Sequence, residues 1–163
     1  MQHWEVLVLA MTLLATVTIS SLSLHEVRKD FRINRTSALA ARFDSQEMLA
    51  LREESDQWLE TGETPSSLYD RAEKWPNREE AQKQIAELRT FTNFFQEFGT
   101  AFEFNSLDEA YSQALLGAVC IRYANALEPF ILETRKRRNR PQEYEEVFYL
   151  RKRMEALAAK SAR

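Results

Sequence analysis

Residues 77–98 read NREEAQKQIAELRTFTNFFQEF, and this stretch is the clearest indication of how the chain folds. Apolar side chains recur in it every three or four residues, and neither glycine nor proline interrupts it. That spacing places them on one face of an amphipathic helix. We interpret the face as the core of a helical bundle rather than a ligand pocket, because buried aromatic side chains dominate packing energy. Its members, extended just beyond the stretch, are Ala81, Ile85, Leu88, Phe91, Phe94, Phe95, Phe98 and Phe102.

The composition agrees with a helical protein. Glycine and proline are scarce, at 3 and 4 residues, and charged residues make up 29%. Few turns can form without those two residues, so we predict an all-α fold. A net charge of −3 gives no basic field for nucleic acid. One cysteine and two histidines exclude an intrachain disulfide and are too few for an ordinary zinc site.

Further helices are predicted before the phenylalanine-rich one. A capping box from Asp44 to Glu47 opens one that ends at Gly62. The connection over residues 62–77 is irregular, with a short helix that holds Leu68, Tyr69 and Trp75 and whose aromatic side chains pin it to the bundle rather than form a binding site. Gly99 is expected to interrupt the phenylalanine-rich helix near its end.

Two more helices are predicted after it. A second capping box, from Ser106 to Glu109, opens a long helix that Pro129 kinks or breaks near Glu128. Pro141 is expected to start the last helix. Within the long helix, we interpret Cys120 as a small buried hydrophobe rather than a nucleophile. Arg122 is expected to form a structural ion pair with Glu97 or Glu103, in preference to an anion site.

Residues 6–24 read VLVLAMTLLATVTISSLSL and carry no charge. The run is long enough to cross a bilayer as a helix, and we predict a single N-terminal transmembrane anchor. A signal peptide is less favoured, because Glu5 replaces the usual positive start and no clean cleavage motif follows. A buried core helix is disfavoured by the basic flank. The hydroxyl residues of the run can bond to preceding carbonyls, and they also suit a transmembrane neighbour.

Basic residues follow the apolar run directly, whereas residues 1–5 contain no lysine or arginine. Positive residues stay cytoplasmic, which predicts an outside N-terminus and a cytoplasmic bundle. The predicted lipid-headgroup contacts are Arg28, Lys29, Arg32 and Arg35. A second basic patch is either a solvated helix end, the favoured interpretation, or another lipid contact; it consists of Arg135, Lys136, Arg137, Arg138 and Arg140. The predicted units are an anchor over 1–24, a basic juxtamembrane helix over 25–43 and a helical bundle over 44–163.

Several segments in this order resemble a bacterial family of short, membrane-anchored, all-helical proteins that is known as a domain of unknown function. The segments are RTFTNFFQEFG, LLGAVCIRYANALEPFILETRKRR and YEEVFYLRKR. The resemblance implies a bacterial origin, a helical fold and an anchor in the inner membrane, and it brings no activity. The residues that carry it are Phe94, Phe95, Gly99, Gly117, Arg122, Tyr123, Pro129, Phe130, Ile131, Arg135, Phe148 and Leu150.

The sequence contains no phosphate loop, no serine elbow and no pair of Glu-x-x-His motifs, so we identify no catalytic, cofactor or metal residues. We therefore expect a non-enzymatic, membrane-tethered interaction protein, a scaffold or an accessory subunit. Its partners would be membrane lipids and either other membrane-protein subunits or itself. The alternative is a sensor of anionic lipid or membrane stress. An enzyme with an unrecognised site ranks last.

Overall fold

The computed structural model describes the backbone of residues 2–161 and, in that range, all side chains except those of Gln2, His3, Glu5, Val6, Leu7 and Ala10. Over these residues the fold is all-α, as predicted, with six helices and no strand. The helices are α1 (Gln2–Phe43), α2 (Gln46–Glu60), α3 (Pro65–Glu73), α4 (Arg78–Glu103), α5 (Glu109–Arg138) and α6 (Glu145–Ser161).

Helix α4 lies at the centre of the bundle and packs against α2, α3 and α6. Its predicted apolar face is confirmed, because all eight residues of that face are buried. The aromatic rings meet mostly edge to face, which is the geometry their quadrupoles favour. The rings of Phe91 and Tyr123 have centroids 4.8 Å apart, and those of Phe91 and Phe95 are 5.1 Å apart. The phenylalanines therefore form a packed core that joins α4 to α5.

The two capping boxes are not where the sequence predicted them. The N-cap of α2 is Ser45 rather than Asp44, and its hydroxyl accepts from the Met48 amide at 3.3 Å. The Asp44 amide still donates to the Ala40 carbonyl of α1, so Asp44 belongs to the end of the preceding helix. The predicted start of α2 was therefore wrong by one residue.

The start of α5 differs in the same way. Its N-cap is Asp108, whose carboxylate accepts from the Tyr111 amide at 2.8 Å. The amide and the hydroxyl of Ser106 instead both donate to the Ala101 carbonyl, at 3.0 Å and 2.7 Å, near the end of α4. Ser106 thus ends one helix rather than beginning the next.

Neither Gly99 nor Pro129 ends its helix. Gly99 lies inside α4, where a Cβ atom would come within 2.2 Å of the Glu146 carbonyl oxygen. The glycine therefore permits a close approach of α6 instead of ending α4. Pro129 lies inside α5, which continues to Arg138. A proline removes one backbone donor, and the fully buried Phe130 and Ile131 that follow it hold the helix in the core.

The predicted short helix is confirmed as α3, and its buried Leu68 and Tyr69 pin it to the bundle. Trp75 follows α3 and is 83% exposed, so its predicted role was wrong. The predicted start of the last helix was wrong as well. The last helix begins at Glu145 rather than at Pro141. A turn precedes it, and Tyr144 ends that turn, buried, in the left-handed conformation at φ +65°.

Candidate membrane-facing helix and its junction with the bundle

The first part of α1 projects from the bundle. Every described side chain from Val8 to Phe31 is exposed, and Leu14, for example, is 72% exposed. Water-soluble surfaces carry apolar side chains singly rather than as an unbroken array. The exposed array suits lipid or another helix, and it consists of Val8, Leu9, Met11, Leu13, Leu14, Val17, Ile19, Leu22, Leu24, Val27 and Phe31.

The hydroxyl groups of the three threonines and of Ser21 are bonded within the helix, as the sequence predicted for such residues. Thr12, Thr16 and Thr18 each donate to the carbonyl four residues earlier at 2.8 Å. Ser21 donates to the Thr18 carbonyl at 3.1 Å. These bonds remove most of the cost of placing the hydroxyls in an apolar medium.

Length and hydropathy, applied to the described residues, single out one possible membrane-spanning helix, α5, and not α1. The most apolar window of α5 is 44% buried inside the bundle. Its buried side chains, among them Cys120 and Leu127, pack in the core, which accounts for its hydropathy. The anchor predicted over residues 6–24 begins at Val6, and its side chains at Val6, Leu7 and Ala10 lie outside the described residues.

The four predicted headgroup contacts lie on α1 between the apolar segment and the bundle. Arg28, Lys29 and Arg35 are exposed, and Arg32 is half-buried. Among the described residues, none of the four has a carboxylate within 4 Å. Their charges are therefore available to an external anion. α1 is unbroken from the apolar segment through these residues to Phe43.

A small polar cluster joins α1 to the bundle. Thr36 is fully buried, and its hydroxyl accepts from the Asp108 amide at 3.2 Å. The same hydroxyl donates to the Arg32 carbonyl at 2.9 Å and lies 3.4 Å from the Ser112 hydroxyl. One turn of α1 is thereby fixed to the start of α5. Leu39 and Phe43 follow on the same side of α1 and are buried in the core.

The second basic patch lies at the other end of α5. A helix rises about 1.5 Å per residue, so Arg135 lies roughly 35 Å along the axis from Ser112 at the junction. Most of its charges are paired within the bundle. Arg135 donates to the Glu143 carbonyl at 2.6 Å, and Arg138 pairs with the Glu143 carboxylate. Lys136 is exposed 3.9 Å from Glu133, and Arg140 is exposed.

Arg137 is the centre of the pairing in this patch. Its guanidinium lies 2.7 Å from Glu133, 3.0 Å from Glu73 and 2.5 Å from Asp70, and thus ties α5 to α3. Hydrogen bonds to Glu133 and Asp70 raise the pKa of Arg137. The hydrogen bond from Arg137 holds the pKa of Asp70 below its usual value. Three of the five predicted residues of this patch, Lys136, Arg137 and Arg138, thus form ion pairs within the bundle.

Arg122 forms its ion pair with a residue that the sequence did not indicate. Its partner is Asp56 of α2 at 3.1 Å, while Glu97 pairs with Arg42 of α1. The Tyr123 hydroxyl donates to the other Asp56 oxygen at 3.0 Å. Burial, followed by this hydrogen bond to Asp56, raises the pKa of Tyr123. Asp56 therefore holds α2 against α5.

Two further features of the bundle could in principle carry chemistry, the Cys120 thiol and a polar cavity. Burial raises the pKa of the Cys120 thiol, which is therefore a poor nucleophile in this fold. A cavity of about 510 Å³ lies between α2, α3 and α4, with Trp58 in its wall. Arg71 crosses it with a bidentate bond to Glu63, at 2.7 Å and 3.0 Å, and a bond to Gln84. Within the described part of the chain, no three side chains of metal-ligating type come together.

Sequence reasoning missed the junction and the Asp56 contact. The spacing of Thr36 could have indicated its burial. It lies three residues before Leu39 and seven before Phe43, and therefore on the same face of the helix. Nothing local distinguishes Asp56 from the adjacent acids Glu53 and Glu54, because its partners belong to a helix far along the chain.

No curated protein and no solved structure matches the chain significantly. One family model matches residues 6–154, from the apolar segment of α1 into α6. The match covers nearly the whole chain and includes both the exposed apolar segment of α1 and most of the bundle. The chain therefore belongs to the family described as Domain of unknown function (DUF4760).

Proposed function

We propose that this chain is a membrane-tethered, non-enzymatic interaction protein, a scaffold or accessory subunit of a membrane assembly. Residues 6–24 would form a single N-terminal anchor, with the bundle on the cytoplasmic side of a bacterial inner membrane. The observation that carries this proposal is the exposed apolar array of α1, which continues into a helix fixed to the bundle.

The extent of the family match supports a shared role for the two parts. It begins at residue 6, inside the apolar segment, so that segment is part of the family domain. The hydroxyl bonds within α1 lower the cost of inserting the segment into lipid. An anchor joined to its domain by a continuous helix transmits position and orientation, which suits a subunit that presents a surface to a membrane partner.

The basic residues support the proposed orientation. Arg28, Lys29, Arg32 and Arg35 follow the segment, and the first five residues contain no lysine or arginine. Retention of positive charge on the cytoplasmic side then leaves the N-terminus outside.

The helix geometry sets the height of the bundle above the membrane. Residues 25–35 separate the apolar run from Thr36 at the junction, and eleven helical residues span about 16 Å. The headgroup layer on one side of a bilayer is roughly 5–8 Å thick. The junction and the bundle would therefore lie beyond the headgroups, where a protein partner can reach them.

A second candidate function, sensing of anionic lipid, is favoured by Arg28, Lys29, Arg32 and Arg35, none of which pairs with a carboxylate among the described residues. Arg28 and Lys29 follow Leu24 by about 6–8 Å along the helix, which is the level of the headgroups, and Arg32 and Arg35 lie further out. The patch from Arg135 to Arg140 would not take part, because its charges are largely paired and it lies at the far end of α5.

The test is extraction from native membranes followed by mild-detergent purification of the tagged full-length chain. We expect the chain to resist alkaline carbonate, and Leu14→Asp with Ile19→Asp to release it while a matched pair, Ala50→Asp with Ala86→Asp in the bundle, does not. A stoichiometric complex after detergent purification supports the scaffold. Release of the unaltered chain by carbonate contradicts the anchor, and a lone monomer in detergent contradicts the scaffold and favours lipid sensing.

A further inference from the structure

We propose that α1 pairs in parallel with α1 of a second copy of this chain, through a heptad seam that runs from the anchor to the bundle. The inference rests on the proposed anchor, because a shared membrane would orient both copies alike. The seam residues alternate at spacings of four and three, over four heptads. They are Leu13, Val17, Ser20, Leu24, Val27, Phe31, Asn34, Ala38 and Ala41.

The seam lies on the side of α1 that faces away from the bundle. Successive helical residues turn by about 100°, so Asn34 and Ala38 point nearly opposite to the buried Thr36 between them. All nine seam residues are exposed, although Thr36, Leu39 and Phe43 of the same helix are buried. Among the described residues, α1 therefore has one face occupied by α5 and the core and an opposite face that is exposed.

Lipid cannot cover the whole seam. Val27 and Phe31 are 63% and 60% exposed, and they follow the charge-free run that ends at Leu24. Arg28 and Lys29 lie between them, so this part of α1 stands among headgroups or in water. A second helix would bury these two side chains, each burial being favourable in proportion to the apolar area removed from water.

The charges beside the seam are complementary for a parallel pair of identical helices. Val17, Leu24, Phe31 and Ala38 occupy position a, which places Asp30 at position g and Arg28 and Arg35 at position e. In a parallel pair, residue g of one helix faces residue e of the next heptad on the other. Asp30 then faces the partner's Arg35, and the symmetry gives this pair twice.

Both residues are free to make this contact. Asp30 and Arg35 are exposed, and neither takes part in an ion pair within the described chain. The next arginine at position e, Arg42, is already paired with Glu97 of α4. The intermolecular ion pairs between Asp30 and Arg35 are therefore confined to the stretch between the anchor and the junction.

The seam also contains features that set its alignment. Asn34 is the one amide in it, and a polar residue in a heptad core specifies register at a cost in stability. Ala38 and Ala41 are small and allow close approach of the backbones near the bundles. Because the Thr12, Thr16 and Thr18 hydroxyls donate to their own helix, they have no donor left for an interhelical bond. The heptad seam, rather than the face of α1 that carries these threonines, is therefore the contact between the two helices.

Cysteine scanning of the full-length chain tests the seam directly. The native Cys120 is buried, so it does not cross-link and serves as the wild-type blank. Single cysteines at Leu24, Val27, Phe31 and Ala38 lie in the seam, and His25→Cys, Glu26→Cys and Lys29→Cys are exposed controls on the same helix. Each variant is reconstituted in lipid vesicles and oxidised briefly, and dimer is measured on non-reducing gels.

We expect dimer at the seam positions and little at the controls, a pattern with the 3.5-residue period of a heptad. If the yield of cross-linked dimer were highest on another face of α1, the proposed seam would be wrong. If every variant stayed monomeric, the two helices would not pair at all. Carbonate extraction of the same vesicles tests separately whether the chain is inserted in the bilayer. Retained but monomeric chain refutes this inference alone, and released chain refutes the proposed function as well.

A charge exchange tests the parallel arrangement independently. Asp30→Arg brings arginine against the partner's Arg35 and should weaken dimerisation by roughly three- to tenfold, and Arg35→Asp should do the same. The double variant restores both pairs and should recover the affinity. Subunit exchange between fluorescently labelled chains in vesicles gives the dissociation constant. Equal losses in the single variants with no recovery in the double variant would contradict the parallel register.

Discussion

Two buried glycines of the bundle have close neighbours of different kinds. A Cβ atom on Gly99 would come within 2.2 Å of the Glu146 backbone carbonyl of α6. A Cβ atom on Gly117 would come within 2.0 Å of the Gln113 side-chain oxygen, on its own helix. A backbone held in a packed helix cannot move away cheaply, whereas a glutamine side chain can change rotamer.

We predict that Gly99→Ala destabilises the protein by about 1–3 kcal/mol, because α6 must move away from α4. Gly117→Ala is the matched control and should be neutral or stabilising, since alanine favours a helix over glycine by about 1 kcal/mol. Urea unfolding of both variants, followed by circular dichroism, gives the two free energies. If both substitutions destabilised the protein equally, the close approach of α6 to α4 would not be what requires glycine at position 99.

The ion pair between Asp70 and Arg137 makes a pH-dependent contribution to stability. The guanidinium lowers the pKa of Asp70 in the folded state, so the contribution is present above the unfolded pKa of about 3.9. It is lost as the pH falls through the lower, folded pKa. We predict that Asp70→Asn lowers the free energy of unfolding at pH 6 and that this difference disappears at strongly acidic pH.

Urea unfolding of the wild-type protein and of Asp70→Asn between pH 2 and pH 7 measures the difference in their free energies of unfolding. Asp44→Asn is the control, because the Asp44 carboxylate is 76% exposed and lies 3.9 Å from Arg52. It should show a smaller difference across the same range. A difference for Asp70→Asn that stays constant with pH would contradict the assignment to Arg137.

At the scale of elements, the junction between α1 and α5 depends on one hydroxyl. Thr36→Val keeps the shape of the side chain and leaves the Asp108 amide without its acceptor. We predict a loss of about 1–3 kcal/mol, the cost of an unsatisfied buried group. Hydrogen exchange should also become faster at residues 32–43 than elsewhere in the bundle.

Thr90→Val is the control, because the Thr90 hydroxyl is exposed and bonds only to its own helix at the Ala86 carbonyl. It should change stability by less than about 0.5 kcal/mol. If Thr36→Val were equally mild, the junction would be held by the packing of Leu39 and Phe43 alone.

The core of the elements was predictable, and their ends were not. The buried face of α4 follows from apolar periodicity, which depends only on residues in the same helix. Ser45 and Asp108 replaced the predicted caps, because the neighbouring Asp44 and Ser106 complete the preceding helices. Two adjacent polar residues fit either role, and only the direction of the incoming chain decides between them.

The contacts of the candidate site depend on tertiary structure in the same way. The basic residues of α1 were identified from their position after an apolar run. That Arg137 is neutralised while Arg28 remains free could not be read from either basic cluster, because the acids that neutralise Arg137 include Asp70 and Glu73 of α3. Gly99 was misread for the same reason, since its neighbour Glu146 is distant in the chain.

At the scale of the whole molecule, the two basic clusters lie at opposite ends of the bundle. We predict that Arg28→Gln with Lys29→Gln reduces the number of anionic lipids retained by the full-length chain, since each basic residue near a membrane contributes about 1 kcal/mol. Lys136→Gln with Arg140→Gln removes the same charge at the far end and should change nothing. Native mass spectrometry of chains released from mixed-lipid nanodiscs counts the retained lipids, and equal losses in both variants would contradict the placement of the bundle.

We propose that the exposed apolar segment of α1 lies in the bilayer while the bundle lies outside it. Spin labels at single cysteines test this arrangement, with Leu13, Leu14 and Ile19 in the segment and Arg35, Phe104 and Lys136 beyond it. Accessibility to oxygen, which concentrates in lipid, is compared with accessibility to a water-soluble nickel complex for the full-length chain in nanodiscs. We predict that oxygen dominates at the first three positions and nickel at the last three. Nickel accessibility at residues 13–19 equal to that at Lys136 would contradict it.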